Sequence, residues 1–208
     1  MPSSNYDNAA WFYDQLSKLV YGKALVNAQL YLLAHILPTS NILIVGGGTG
    51  WILEEITNLY PSGLIITYVE VSEKMMSRSK TRLIGNNQVI YINKAIQAAE
   101  LTDKFDVVIT AFLFDNFRGD TLQQVFDAIN RRLKTDGIWL NTDFQLTGKW
   151  WQNLMLKSML LFFRVLCNIE ASKLPDIDGL FRDYQTVESK SFFGQFIRSA
   201  VYRKTKKV

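Results

Sequence analysis

Hydrophobic and polar positions fall into blocks whose period changes along the chain. Ile42-Leu43-Ile44-Val45 is an unbroken apolar run, short enough for a strand buried on both faces. Trp51 to Leu59 carries apolar residues at helical spacing, Pro61-Ser62-Gly63 breaks it, and a second run, Leu64 to Val69, ends on the acid Glu70. Ser72 is a predicted N-cap for a helix to about Ile84, which Gly85-Asn86-Asn87 ends. Gln88 to Ile92 and Phe105 to Thr110 read as further strands. A helix from about Asp120 to Leu133 leads through a turn at Thr135-Asp136-Gly137 to a fifth strand, Ile138 to Phe144. Strands alternating with helices at this spacing predict an α/β fold, a parallel sheet wound on both sides.

The flanks read differently. Asn8 to Leu19 and Lys23 to Leu37 are amphipathic, separated near Tyr21-Gly22 and stopped by Pro38, which predicts an N-terminal helical cap over residues 1–38. Residues 39–145 form the predicted core, and residues 146–208 an apolar helix followed by a C-terminal hairpin. In that helix, Lys149 to Ile169, the polar residues Asn153, Lys157, Arg164 and Asn168 form one narrow stripe. Lys157 and Arg164 leave no uncharged run of spanning length. A short helix is expected near Asp178 to Tyr184. Thr186 to Phe193 and Gln195 to Arg203 alternate as an antiparallel pair about Gly194.

Composition sharpens this. At 208 residues, 48% hydrophobic and 20% charged, the chain reads as one globular domain with a full core. Its single cysteine, Cys167, excludes an internal disulfide framework and suits a reducing, cytoplasmic setting; residues 1–15 carry no signal-peptide pattern. The net charge of +4 comes largely from Arg198, Arg203, Lys204, Lys206 and Lys207 at the C-terminal end. No aromatic platform interleaves them, so a solvated tail is expected rather than a nucleic-acid surface.

The chemistry concentrates between Asn41 and Glu70. Strand, glycine turn, helix and second strand make the β-α-β unit of a nucleotide-binding half-fold. Glycines let the backbone turn sharply and approach a ligand where a Cβ would collide, and an acid at the tip of the next strand can accept both ribose hydroxyls of an adenosine. The dinucleotide fingerprint wants GxGxxG or GxGxxA. Gly46-Gly47-Gly48-Thr49-Gly50-Trp51 puts a glycine one place early and tryptophan at the packing position, which argues against NAD or FAD.

The series ILIVGGGTG, YVEVSEKM, FDVVITAF and LKTDGIWL resembles the class I S-adenosylmethionine-dependent methyltransferases in order and spacing, over roughly Asn41 to Phe144. The resemblance implies a Rossmann-like, doubly wound, mostly parallel seven-stranded sheet with an antiparallel last strand. It implies S-adenosyl-L-methionine as cofactor, no metal, and methyl transfer to a small, apolar or aromatic acceptor by in-line displacement. Gly46, Gly48 and Gly50 match the family's glycine loop, Glu70 its ribose-binding acid, and Val71 and Met75 its adenine-flanking residues. Ala95 and Ile96 fall near the adenine amino group, and Thr110 and Phe112 beside the transferred methyl. Two residues depart from the pattern: Ile44 and Ala95 stand where acids are common. Tyr6-Asp7 through Trp11-Phe12-Tyr13-Asp14 is similar to the opening of the ubiquinone/menaquinone-biosynthesis methyltransferase group, which implies a cofactor contact for Tyr13.

No residue is assigned as catalytic, because in-line transfer rests largely on alignment. His35, the sole histidine, is the obvious base candidate but sits in an apolar helix, where a structural role is expected. Asp115 and Asp143 follow the fourth and fifth strands at the site edge of the sheet, where either could orient or deprotonate an acceptor, although a loop acid is more often solvated or a cap. Cys167 reads as an inert core thiol. Trp150 to Leu166 can wall an acceptor pocket, rest on a membrane surface, or serve as a core or dimer helix. Two alternatives stay open: a catalytically silent interaction protein, supported by Ile44 and Ala95, and an aminopropyltransferase, which the apolar Thr110-Ala111-Phe112-Leu113-Phe114 opposes.

Overall fold

The computed structural model describes residues 22–167 and 174–205. Seven strands form one sheet in the order β3-β2-β1-β4-β5-β7-β6. They are β1 (Asn41–Val45), β2 (Ser62–Val69), β3 (Asn86–Ile92), β4 (Phe105–Ala111), β5 (Leu133–Phe144), β6 (Tyr184–Phe192) and β7 (Ile197–Lys204). Strands β1 to β5 pair in parallel, and β7 runs antiparallel between β5 and β6. The fold is the expected Rossmann-like, doubly wound sheet.

Central β1 shows why an unbroken apolar run was needed. Ile42 and Ile44 enter one core layer, Leu43 and Val45 the opposite one, and all four are buried. Side chains alternate across a sheet, so a strand covered on both faces has no polar position to offer. Ile44, which replaces an acid common in the resembled family, is simply core. On its face lie α1 (Ala24–Leu33) and α2 (Trp51–Leu59), which bury Leu32, Leu33, Ile52, Leu53 and Ile56. The other face carries α4 (Gly119–Asn130) and α6 (Ile177–Leu180). Val125, Phe126 and Ile129 of α4 meet Trp139 and Phe181 there, with Phe126 stacked on Trp139 at 5.1 Å.

Several boundaries differ from expectation (the second cap helix ends at Leu33 rather than Leu37, and the short helix is Ile177–Leu180 with Tyr184 already in β6), and three differ for a clear local reason. The helix after Glu70, α3 (Glu73–Ser79), keeps its predicted cap, Met75 N donating to Ser72 Oγ at 3.2 Å, but stops well before Ile84. The chain there turns back, and Arg82 donates to Thr49 O at 2.9 Å and pairs with Glu54. Asn86 and Asn87 start β3 rather than only ending a helix. Leu64 N donates to Asn87 Oδ1, and Asn87 Nδ2 donates to Tyr60 O. Finally, Thr135-Asp136-Gly137 lies inside β5 as an irregularity, with Asp136 at φ +63° between the pairs Phe105–Leu133 and Val107–Ile138.

The apolar helix, α5 (Trp150–Cys167), follows β5 as expected, and the hairpin turns through Gly194. Among the described residues no helix is long and apolar enough to cross a membrane. The first predicted cap helix, Tyr13 and the end of the basic tail lie outside the described residues, as does the Cys167 side chain.

Candidate functional site

The glycine turn, the tip of β2 and the end of β4 converge on one rim of the sheet. Gly46, Gly48 and Gly50 all have positive φ, at +68°, +64° and +78°, a region that residues with a Cβ enter at a cost. The loop is fastened from below. Tyr68 of β2, fully buried, donates its hydroxyl to Gly48 O at 2.9 Å. A Cβ on Gly47 would lie 2.3 Å from the Tyr68 ring, so glycine is required for that ring to sit there. Burial, reinforced by the charge of Glu70, pushes the Tyr68 hydroxyl well above its usual range and keeps it a donor.

Glu70 is buried at this rim. Gly48 N donates to its Oε2 at 2.9 Å and Ser72 N to its Oε1 at 2.8 Å. One carboxylate therefore joins the glycine loop to the start of α3. Asn93 Nδ2 donates to the carbonyls of Glu70 and Val71, fixing the chain just past β2. Tyr68, Ser72 and Asn93 were not among the expected site residues. A hydroxyl-bearing ring inside an apolar strand was the only sign of Tyr68.

The other expected positions separate into rim and support. Met75 is buried with its sulfur 3.9 Å from where a Cβ on Gly48 would stand, and nothing else crowds that point. Glycine at 48 thus meets a backbone need and leaves the space above it open, a fit for a ligand approaching the main chain. Val71 and Ala95 are exposed at the rim; Ile96 is buried in the layer beneath. Gly50 is packing: its Cβ would meet Ser79 Cβ at 2.6 Å and Ser79 Cα at 2.7 Å. The Thr110 hydroxyl points into the core, donating to Asn141 Oδ1 at 2.7 Å and accepting from Trp139 Nε1 at 2.8 Å.

Phe112 follows β4 at φ +51°, a conformation unusual for an aromatic residue and characteristic of functional turns. It begins an aromatic wall: Phe112 to Phe144 at 4.8 Å, Phe144 to Phe196 at 5.1 Å, and Phe196 to Trp151 at 5.9 Å. Trp151, Met155, Phe193 and Gly194 line a shallow, open apolar depression at its far end. His35 lies elsewhere, half-exposed, with Nε2 3.2 Å from Glu188 Oε2, tying α1's end to edge strand β6.

Asp115 and Asp143 correct the expectation of solvated loop acids: both are buried. The chain turns through Phe114–Asn116 directly after β4 and brings Asp115 toward Asp143 at the end of β5. Burial raises both carboxyls, Asp143 to about 7, and the negative charge of Asp143 raises Asp115 further. A raised carboxyl binds its proton more tightly folded than unfolded, so its contribution is complete below about pH 4 and is lost as pH rises through about 7. Asp143→Asn is therefore expected to stabilise the protein at pH 8, by on the order of 2–4 kcal/mol, and to leave it nearly unchanged at pH 4. Urea unfolding of both proteins at the two pH values checks this; equal midpoints at pH 8 would refute it.

Residues 42–137 match the family described as "Methyltransferase domain". The malonyl-[acyl-carrier protein] O-methyltransferase of Bacillus anthracis is 33% identical over 103 residues, 50% of this chain and 37% of that protein. Its counterpart from Anoxybacillus flavithermus is 27% identical over 109 residues, 52% of this chain and 40% of that one. The chain thus matches about two fifths of the length of these curated relatives. Among solved structures, the complex between the Haloferax volcanii Trm112 methyltransferase activator and a methyltransferase matches at TM-score 0.74 and 12% identity, over 99% of this chain and 100% of that one. The N-methyltransferase NodS of Bradyrhizobium japonicum, in complex with S-adenosyl-L-homocysteine, gives 0.63 and 15%, over 88% and 84%. Human N-acetylserotonin methyltransferase, in complex with S-adenosylmethionine, gives 0.65 and 20%, over 96% and 57%. At these identities the structural likeness concerns the fold.

Proposed function

We propose that the chain is a class I S-adenosylmethionine-dependent methyltransferase that methylates a small acceptor with an apolar or aromatic body, a reading that the match of residues 42–137 to a methyltransferase domain supports. The observation that carries the reading is Glu70, a buried carboxylate at the tip of β2, held by the amides of Gly48 and Ser72. The cofactor, when bound, supplies an electrophilic methyl on a sulfonium sulfur. Glu70 would accept the ribose hydroxyls, and the glycine loop would receive the amino-acid end, with open space over Gly48 and the Leu113 side chain close over Gly46. Val71 and Met75 flank the adenine, and Ala95 and Ile96 border its amino group.

Phe112 supports the acceptor side of the reading. Its strained turn sets the ring between the cofactor rim and the aromatic wall that runs to Trp151. A flat apolar acceptor held against the half-buried Phe112 ring, which Phe144 and Phe196 back from the core, loses rotational freedom before transfer, the main source of acceleration in an in-line displacement. Thr110 acts through the core: its bonds to Trp139 and Asn141 fix the end of β4 and hence Phe112. Trp150 and Leu154 stand exposed on α5, which suits collection of an apolar acceptor from a lipid surface.

Calorimetric titration of the purified chain with S-adenosylmethionine, S-adenosylhomocysteine and NADH tests the proposal. One-site saturable binding of the first two, and none of NADH, is expected. Absence of binding by both sulfur compounds would leave a silent interaction protein as the reading.

A further inference from the structure

The outward face of α5 lacks the composition of a solvated helix face. Gln152 and Leu156 are buried, and Trp151 and Met155 are half-buried beside Phe193 and Gly194, so the helix packs by that side. Trp150 and Leu154 lie one turn apart on the opposite side. They stand 77% and 59% exposed, with Leu146 of the preceding loop at 43%. A surface helix keeps polar residues on its outward side. Scattered exposed apolar residues are ordinary, but a cluster beside an open apolar depression marks a contact surface.

Charge says what covers it. From Phe144 to Ile169 the sequence holds Lys149, Lys157 and Arg164 and no Asp or Glu. Lys149 and Lys157 are both exposed. Lys149 precedes Trp150, and Lys157 lies three residues after Leu154, hence on the same face. The two exposed acids grouped with Leu146 are engaged: Asp178 pairs with Arg198 at 2.6 Å, and Asp176 accepts from Gly179 N at 3.0 Å.

A second copy of this chain fits the face poorly. Two-fold symmetry makes a contact self-complementary. An antiparallel pairing of α5 about Asn153 sets Lys149 opposite Lys157 of the second copy, and α5 has no acid to balance them. An anionic lipid surface fits each feature. It takes Trp and Leu side chains into the boundary between headgroups and acyl chains, and lysines on the same face reach the phosphates. No described helix is long and apolar enough to cross a bilayer, so α5 would lie along the surface rather than span it.

We propose that α5 is an interfacial helix that docks this chain on an anionic lipid bilayer, with Trp150 and Leu154 inserted and Lys149 and Lys157 on lipid phosphates. The proposal deepens the acceptor reading above and rests on it for its purpose: docking sets the far end of the aromatic wall, at Trp151, against the phase in which apolar acceptors dissolve. The docking itself needs neither cofactor nor acceptor.

Flotation of the full chain with lipid vesicles, in the absence of cofactor, tests this. Equimolar phosphatidylcholine and phosphatidylglycerol should carry the protein roughly tenfold more tightly than phosphatidylcholine alone, and added salt should weaken the binding. Lys157→Gln should lower vesicle affinity about fivefold, and Trp150→Ser combined with Leu154→Ser by roughly tenfold or more. These side chains are exposed, so urea midpoints equal to wild type should report that the variants are folded. Vesicle binding without S-adenosylhomocysteine binding would sink the methyl-transfer reading and leave the docking surface standing; the reverse would sink the docking surface alone. Absence of flotation with anionic vesicles, equal binding to neutral ones, undiminished binding by the double variant, or a solution dimer that the double variant dissociates would each overturn the proposal.

Discussion

Gly50→Ala should destabilise the protein by about 3 kcal/mol or more, while Gly48→Ala should cost only about 1–2 kcal/mol and spoil cofactor binding instead. Both glycines have left-handed φ, at +78° and +64°, where a side chain costs on the order of 1–2 kcal/mol. Space separates them. A methyl at position 50 meets Ser79 Cα and Cβ at 2.7 and 2.6 Å. That is backbone rather than a flexible tip, so the start of α2 must move off α3 and open the core between them. A methyl at position 48 meets only the Met75 sulfur, at 3.9 Å, and fills space that a bound cofactor would use. Urea unfolding paired with S-adenosylhomocysteine titration distinguishes the two substitutions. Equal loss of stability in both would contradict the division of labour drawn from the structure.

That division marks where sequence reading reached its limit. GGGTG announced a tight, ligand-facing turn because glycine types and spacing are local. Which glycine serves packing depends on α3, some thirty residues later. The strands were legible for a similar reason: Ile42 to Val45 must be apolar on both faces wherever β1 lies centrally, so the pattern is set by the strand's place in the sheet. Boundaries were less so. Gly85-Asn86-Asn87 has the composition of a helix stop, yet Asn87 spends its side chain on Leu64 N and Tyr60 O, partners that only the β2–β3 pairing supplies. Thr135-Asp136-Gly137 has turn chemistry, and the structure uses it as a bulge within β5.

The candidate site was legible in the same uneven way. Glu70 was visible because an acid ending an apolar strand after a glycine turn has few structural uses. Thr110 was placed at the correct strand end, but its direction is set by Trp139 and Asn141 of β5, 29 and 31 residues on. Asp115 and Asp143 looked like ordinary loop acids because nothing near them in sequence announces burial. Long-range packing provides it, and turns two surface-type residues into a raised, buried pair.

Glu70→Ala is expected to weaken S-adenosylhomocysteine binding by roughly 100-fold or more, the largest functional effect of any single side-chain truncation at the rim. Two terms contribute. Charge-assisted hydrogen bonds to a ribose diol are worth about 1.5–3 kcal/mol each, and two of them would be lost. The carboxylate also joins Gly48 N to Ser72 N, so its removal loosens the loop that receives the amino-acid end. Glu70→Gln separates these terms. Its single carbonyl oxygen can serve only one of the two amides, and its NH₂ must face the other donor to donor. The glutamine variant is therefore expected to bind far more weakly than wild type despite its matching shape, whereas a purely steric role would let it bind normally. Both variants should also unfold at lower urea than wild type, since each leaves at least one of these amides without an acceptor, at a cost of about 1–3 kcal/mol, while Tyr68 still holds Gly48 O from below and keeps the loop in place. Wild-type affinity in Glu70→Ala would remove Glu70 from the cofactor site and with it the observation on which the methyl-transfer reading rests.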